Sequence, residues 1–231
     1  MDITLVIPTY NEAENVPILL ENVYRIFAEH GLDGSVTIVD DNSPDGTWKV
    51  AEELKDKYGG LRVIRRMSER GLSSAVLEGF RNSESAILGV MDADLSHPAE
   101  SIPDIVAPIM RDEADISIGS RYVSEGGIED WPARRKISSR LATLAVRGLT
   151  SVKDPMSGFF FLKRETIKDV KLDPLGFKIA LEILVRGKYD KVVEVPITFR
   201  DRLYGETKLG SGVIIDYFLH VARLYAYKAF S

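Results

Sequence analysis

Hydrophobic positions along this chain alternate between two rhythms. Short runs rich in β-branched residues, ITLVIP (3–8), SVTIVDD (35–41), LRVIRR (61–66), AILGVM (86–91) and ADISIGSR (114–121), have the length and composition of buried strands. Between them the apolar spacing turns helical. It predicts a helix from about Glu12 to His30, a second from the turn NSPDGT to about Lys57, a third in GLSSAVLEGFRN and a fourth after Pro98. Strands separated by helices predict βαβ units and a mostly parallel sheet. After about Ser124 the rhythm changes. A Gly-containing loop, EGGIEDWP, leads to a helix over Arg134–Leu149, and DPMSGFFFLKRE reads as a loop and a strand. GFKIALEILVRG then predicts a helix, KVVEVPITFR a strand, DRLYGETKLGSG a polar loop, and about 212–230 a last helix. One domain is expected, in two halves, 1–123 and 124–231.

Composition narrows the partners. The 231 residues carry 30 Lys and Arg against 35 Asp and Glu, a formal charge of −5. Bulk attraction to nucleic acid is therefore not expected, and any anion site must be local. The absence of cysteine removes disulfides, thiolate metal sites and cysteine nucleophiles, and fits a reducing compartment. No apolar run reaches the roughly 18 residues of a spanning helix. The first strand begins within a few residues of Met1, so no leader is expected before it.

The strand tips carry the candidate chemistry. AILGVM runs into MDADLSHP, which sets Asp92 and Asp94 two residues apart at a strand end. Alternation along an extended segment puts both on one side, around Ala93. Hard divalent cations take oxygen ligands, and one or two carboxylates with substrate phosphates is the usual arrangement for Mg²⁺. A solvated turn is the competing explanation, with Asp94 or Ser96 capping the helix after Pro98. Two further tips favour a ligand site. IPTYNE offers the ring of Tyr10 and the acid of Glu12, and VDDNSPDGT offers Asp40 and Asp41 as acceptors, with Asp45 as a helix cap. Open α/β sheets bind ligands beyond the carboxyl ends of their strands, so three acid-tipped strands on one edge point to a nucleotide.

Taken in order, IPTYNE, VDDNSPDGT, RGLSSAV, MDADLSHP, GSRYV, WPARRKISSR, DPMSGFF and YGETKLG resemble the polyprenyl-phosphate sugar synthases, a group of the inverting family-2 glycosyltransferases. The resemblance covers nearly the whole chain. It implies a Rossmann-like glycosyltransferase A-type α/β fold, with a mostly parallel central sheet and flanking helices. It also implies transfer of mannose from GDP-mannose to dolichyl or another polyprenyl phosphate, with inversion. A UDP-sugar donor such as UDP-glucose is the nearest alternative, and a non-catalytic nucleotide-sugar sensor is the alternative of a different class. By the same resemblance, Pro8, Tyr10, Glu12, Val39 and Asp41 contact the nucleoside. Asp92, Ala93 and Asp94 face the diphosphate, and Asp92, Asp94 and Ser96 hold Mn²⁺ or Mg²⁺. Close members often have Gln where this chain has Ser96, so a water is the alternative third ligand. Arg202 and Lys208 would meet the donor diphosphate. Residues 1–123 become the nucleotide-sugar half and 124–231 the acceptor half.

The acceptor side is basic. A phosphate monoester is mostly dianionic at neutral pH, so it needs positioning and positive charge instead of the general base a hydroxyl requires. The chain offers Arg121 after the fifth strand, then Arg134, Arg135, Lys136 and Arg140. Guanidinium groups bind phosphate bidentately. The resemblance gives Arg121, Arg135 and Ser139 to the acceptor phosphate, and the catalytic work to Asp94, Arg121 and Arg135. A hydroxyl acceptor would want a carboxylate nearby, for which Asp130 is the candidate. Asp154 is expected to orient a basic side chain or cap a turn, and His97 to pack beside Pro98. On helical wheels Ile137, Leu141, Leu144, Ala145 and Leu149 oppose Lys136, Arg140 and Arg147, while the last helix confines Asp216, His220 and Arg223 to a narrow polar stripe. Core packing is the plain explanation of both helices. The resemblance implies that they lie in a membrane interface, on the cytoplasmic face, with a small membrane-protein partner in some relatives.

Overall fold

The structure is a computed structural model that describes residues 1–129, 131–173, 176, 178–200 and 211–230. The first half runs β1 (Ile3–Thr9), α1 (Asn15–Glu29), β2 (Gly34–Asp40), α2 (Thr47–Glu53), β3 (Leu61–Arg65), α3 (Leu72–Arg81), β4 (Ile87–Val90), α4 (Ile102–Met110) and β5 (Ile116–Ser120). The second half adds β6 (Gly127–Ile128), α5 (Ala133–Ala145), β7 (Phe160–Lys163), α6 (Ile179–Arg186), β8 (Val192–Pro196), β9 (Thr198–Phe199) and α7 (Ser211–Phe230). Seven strands form one sheet in the order β3-β2-β1-β4-β7-β5-β8, and β6 pairs with β9 in a separate ribbon.

Every residue of β1 is buried, because helices cover both faces of the sheet. Leu5 and Ile7 pack with Val16, Leu19, Leu20 and Val23 of α1, whereas Val6 packs with Ala75, Val76 and Phe80 of α3. This is why the strand reads as a continuous apolar run. The strands β3, β2, β1 and β4 are mutually parallel, with Pro8 beside Val39 and Thr9 beside Asp40. Chain order reverses between β1 and β4, the place where such sheets open a crevice.

The sheet is parallel except for β7, which pairs antiparallel with both β4 and β5. Two antiparallel steps leave β5 parallel to β4, so Arg121 emerges on the same edge as Asp92. The loop entering β7, 154–159, arrives there too.

Several predicted boundaries shift. Residues 12–14 form a turn ahead of α1, the Glu12 carbonyl accepting the N–H groups of Asn15 and Val16. The run KVVEVPITFR is two strands, not one. Pro196, which has no N–H to donate, ends the pairing of β8 with β5, and Thr198–Phe199 then pairs with Gly127–Ile128. The helix expected over Arg134–Leu149 ends at Ala145, and Val146 and Leu149 tuck beneath α7 in an apolar cluster with Tyr217, Val221 and Leu224.

The polar stripe of α7 does not face solvent as a unit. His220 is buried, its Nε2 2.7 Å from Oε2 of the equally buried Glu182 on α6. A buried carboxylate needs partners, and His220 supplies one. Ile215, Phe218 and Leu219 are exposed instead. Burial pushes the Glu182 carboxyl up, but hydrogen bonds from His220 and the Asp173 N–H, with the Arg186 charge, outweigh it and hold the group below its ordinary value. Its contribution to stability is complete above the ordinary glutamate range and is lost as pH falls through the depressed folded value. The thermal midpoint of the native protein should therefore drop more steeply below about pH 4 than that of Glu182→Gln, in a melting series from pH 3 to 7. Among the described residues no helix is long and apolar enough to cross a membrane.

Candidate active site

The β1 and β2 tips are locked together by acids. Asp40 is wholly buried and accepts hydrogen bonds from Thr9 Oγ1 (2.9 Å), the Ser43 N–H (2.8 Å) and Ser43 Oγ (2.6 Å). It is a staple between strands, with its oxygens turned into the protein. Asp41 accepts from Arg66 Nε and from the Gly71 N–H, each at 2.7 Å. Asp45 takes the N–H and hydroxyl of Thr47 at the start of α2, as a cap does. Pro8 and Val39 lie buried behind these tips. Glu12 accepts from Asn15 Nδ2 at 2.7 Å, and the Arg70 guanidinium lies 5.2 Å from the centre of the Tyr10 ring. Next to them opens a recess of about 370 Å³ lined by Asn42, Trp48, Lys49, Arg65 and Arg70 among others. There Arg65 stacks 3.7 Å above Trp48.

Beyond β4 the chain turns sharply at Leu95, whose φ is +60°. Asp94 Oδ1 accepts the Ser96 N–H (3.2 Å) and Ser96 Oγ (2.5 Å), so the serine buttresses the acid. Neither residue caps the helix after Pro98: α4 has no side-chain cap. Asp92 keeps about 31% of its side chain exposed and lies against Gly158, where a Cβ would sit 2.5 Å from Oδ2. Gly158 in DPMSG is thus the bed on which this carboxylate rests. Given the metal role that the resemblance implies for Asp92, Gly158→Ala should displace the acid and cut Mn²⁺-supported GDP affinity about tenfold, read by titrating GDP with and without Mn²⁺, a loss of the size that supporting residues of metal sites commonly give. No group of three or more His, Cys, Asp or Glu suited to a metal occurs among the described residues.

Across the crevice, Arg121 is gripped by Asp154. Its Nε and Nη2 each donate to the carboxylate at 2.7 Å and its backbone N–H donates at 3.0 Å. Burial disfavours the Arg121 charge, yet the bonds and charge of Asp154 keep its proton held more tightly than usual. Glu194 of β8 holds the Asp154 loop in turn, accepting the N–H groups of Lys153 and Asp154 and the Ser120 hydroxyl. Arg135 lies 3.8 Å over the Trp131 ring, and Ser139 accepts a 2.7 Å hydrogen bond from the Tyr122 hydroxyl. Asp130, Arg202 and Lys208 fall outside the described residues.

Two further groups join the site. Lys178, at the start of α6, is influenced by Arg121, Asp92 and Asp154; burial and the Arg121 cation pull its pKa down to about 8 against the two acids. His97 is buried between Phe159 and Phe199, and burial pulls its pKa down to about 4 against the charge of Asp94. Lys178 went unnoticed in the sequence, where it looks like one more lysine flanking an amphipathic helix. Its one signal is its place as the lysine of GFK, at a helix start.

Residues 4–171 match the family model for glycosyl transferase family 2. The chain belongs to that family. This family-2 glycosyltransferase is 47% identical over 228 residues to a dolichol-phosphate mannosyltransferase of Pyrococcus furiosus, covering 97% of this chain and 64% of that protein. A Saccharomyces cerevisiae dolichol-phosphate mannosyltransferase is 37% identical over 238 residues, covering 99% of this chain and 88% of that one. Among solved structures, mannosyl-3-phosphoglycerate synthase from Rubrobacter xylanophilus superposes with a TM-score of 0.70 at 16% identity, over 100% of this chain and 76% of its own. Glucosyl-3-phosphoglycerate synthase from Mycobacterium tuberculosis, in complex with Mn²⁺, UDP-glucose and phosphoglyceric acid, gives 0.68 at 16% identity, over 96% of this chain and 80% of its own. At such identities the fold is what is shared. It is the A-type fold that the resemblance implied, built on the α/β alternation that the strand and helix rhythm predicted.

For a family-2 glycosyltransferase the arrangement is chemically coherent. One rim carries Asp92 and Asp94, oxygen donors suited to a hard cation completed by phosphate oxygens and water. The facing rim carries Arg121, Arg135 and Ser139. The exposed apolar residues Ile137, Leu141 and Leu144 of α5 adjoin this basic rim, and α7 is tied to α5 by Tyr217 and Tyr225 hydroxyls donating to the Ala142 and Ala145 carbonyls.

Proposed function

We propose that this glycosyltransferase moves mannose from GDP-mannose to the phosphate of a dolichyl or related polyprenyl acceptor, with inversion, releasing GDP. The observation that carries this reading is the Arg121–Asp154 pair at the β5 tip, facing the Asp92–Asp94 rim, with Arg135 stacked on Trp131 beside it. A fixed guanidinium on the acceptor side suits an acceptor that is already an anion. The Pyrococcus and Saccharomyces relatives support the sugar and the lipid.

In this reading Pro8, Tyr10, Glu12, Val39 and Asp41 hold the nucleoside, and Arg202 and Lys208 meet the diphosphate. Asp92 and Asp94 would hold Mn²⁺ or Mg²⁺, with Ser96 or a water beside them; when bound, the cation neutralises charge gathering on the departing diphosphate. Arg121, Arg135 and Ser139 bind the acceptor phosphate and aim one oxygen at the anomeric carbon. That oxygen forms the new C–O bond as the bond to the diphosphate breaks on the opposite face. The product is the β-linked polyprenyl mannosyl phosphate, and no proton has to be removed. Lys178 adds positive charge between the two rims. The chain acts as one domain, 1–123 for the nucleotide sugar and 124–231 for the acceptor. The exposed apolar faces of α5 and α7 rest on the cytoplasmic side of a membrane, where the lipid phosphate is presented.

The test is transfer of labelled sugar from GDP-mannose, and separately from UDP-glucose, to a polyprenyl phosphate in detergent, with Mn²⁺ or with chelator. Label entering lipid from GDP-mannose only with metal supports the reading. Transfer from UDP-glucose alone replaces the donor and keeps the mechanism. Tight GDP-mannose binding without transfer from either donor points to a missing membrane segment or partner, or to a sensor. Asp130→Asn separates acceptor chemistries: within about threefold of native activity is expected for a phosphate acceptor, whereas loss of a general base removes about 10²-fold or more.

A further inference from the structure

We propose that His97 is a positioning residue for Asp92, donating a hydrogen bond from Nδ1 to the Asp92 carboxylate when the donor and its cation are in place. The proposal rests on the metal role given above to Asp92. It starts from an orphan. The His97 imidazole is only 5% exposed and its ring is walled by Phe159 and Phe199, with centroids 5.3 and 5.1 Å away. Its Nδ1 is buried and has no hydrogen-bond partner among the described residues. Buried polar atoms without partners destabilise a protein and are uncommon in native folds. The carboxylate of Asp92 faces it, Oδ2 standing 3.8 Å from Nδ1.

That separation is too long for a hydrogen bond but closes with less than about 1 Å of movement. On its other side the Asp92 carboxylate lies against Gly158, where even a Cβ would collide with it. Gly158 and His97 therefore bracket the acid: one is a floor without a side chain, the other a buried donor. A carboxylate has roughly four acceptor positions. Holding Oδ2 from inside the protein turns the remaining ones toward the crevice. Ligands of metal sites are commonly oriented by such outer partners, and Asp94 already has its own in Ser96. His97 gives Asp92 the same support. The aromatic walls explain why the side chain is imidazole: it fills the space of a ring while presenting one polar edge.

Three substitutions separate this role from packing. His97→Asn sets an amide near the place of Nδ1, His97→Gln sets one near the place of Nε2, and His97→Phe keeps a ring with neither. For each, the Mn²⁺ concentration that half-saturates GDP binding is measured by calorimetry at fixed pH, alongside GDP affinity in chelator and the thermal midpoint. His97→Phe and His97→Gln should raise the half-saturating Mn²⁺ about 10- to 100-fold, with metal-free GDP affinity unchanged. His97→Asn should return to within about threefold of native. Native Mn²⁺ dependence in all three variants, or a loss that follows the thermal midpoint instead of the position of the amide, would overturn the proposal. So would rescue by Gln and not by Asn. A native protein whose GDP binding is the same in Mn²⁺ and in chelator would overturn the metal role of Asp92 itself.

Discussion

Asp154→Ala is expected to lower the free energy of unfolding by about 3–5 kcal/mol, the cost typical of removing one member of a buried ion pair. Asp154 is 0% exposed and the Arg121 side chain only 10%. Without the carboxylate, a guanidinium stays in a site walled by Tyr122, Trp131 and Phe199 without its paired acid. Urea unfolding measures the loss directly. Transfer should suffer separately, because Arg121 also loses the fork that aims it across the crevice. The double substitution Arg121→Met, Asp154→Leu distinguishes the two effects. Replacing a buried pair by apolar residues of similar volume is often neutral, so the double variant should regain most of the stability and none of the acceptor use. Recovery of transfer in the double variant would show that the arginine does not hold the acceptor.

Asp92→Ala should do the reverse, sparing stability and removing activity. With about 31% of its side chain exposed, Asp92 contributes little to the core. Its loss should change the unfolding free energy by no more than about 1 kcal/mol, well below the cost of breaking a buried pair. The rate of transfer should fall about 10³-fold or more, equivalent to roughly 4 kcal/mol of lost stabilisation of the leaving diphosphate. GDP affinity should become insensitive to Mn²⁺. Unchanged Mn²⁺-dependent GDP binding in this variant would remove Asp92 from the metal site.

The contrast between these two acids shows what the sequence could and could not reveal. Asp92 announced itself because a buried strand ends in it, and strand tips are readable from apolar runs alone. Asp154 stands 33 residues from Arg121, and nothing local links them. They meet because β7 inserts antiparallel between β4 and β5. FFFLK predicts a strand but not its neighbours, since a fully buried run carries no alternation to betray its direction. Acids that looked alike also diverged: Asp40 faces Thr9 and Ser43, whereas Asp92 faces the crevice. Strand periodicity places such side chains near an edge, and the hydroxyls within reach decide which become struts. The wheel for α7 grouped His220 with Asp216 and Arg223 as a narrow polar stripe. It could not show that α6 brings a buried Glu182 to meet the histidine.

That meeting gives the molecule a short ruler. Lys178 stands at the start of α6, among the charges of the crevice, and Glu182, which grips α7 through His220, follows four residues later. At about 1.5 Å of rise per residue, the two are separated by roughly 6 Å along the helix axis, one turn. A single helical turn therefore spans the step from the crevice charges to the joint with α7. Sliding α7 by one residue along this joint would shift it by about 1.5 Å relative to the crevice, more than the roughly 1 Å of misplacement that can cost a reaction a hundredfold.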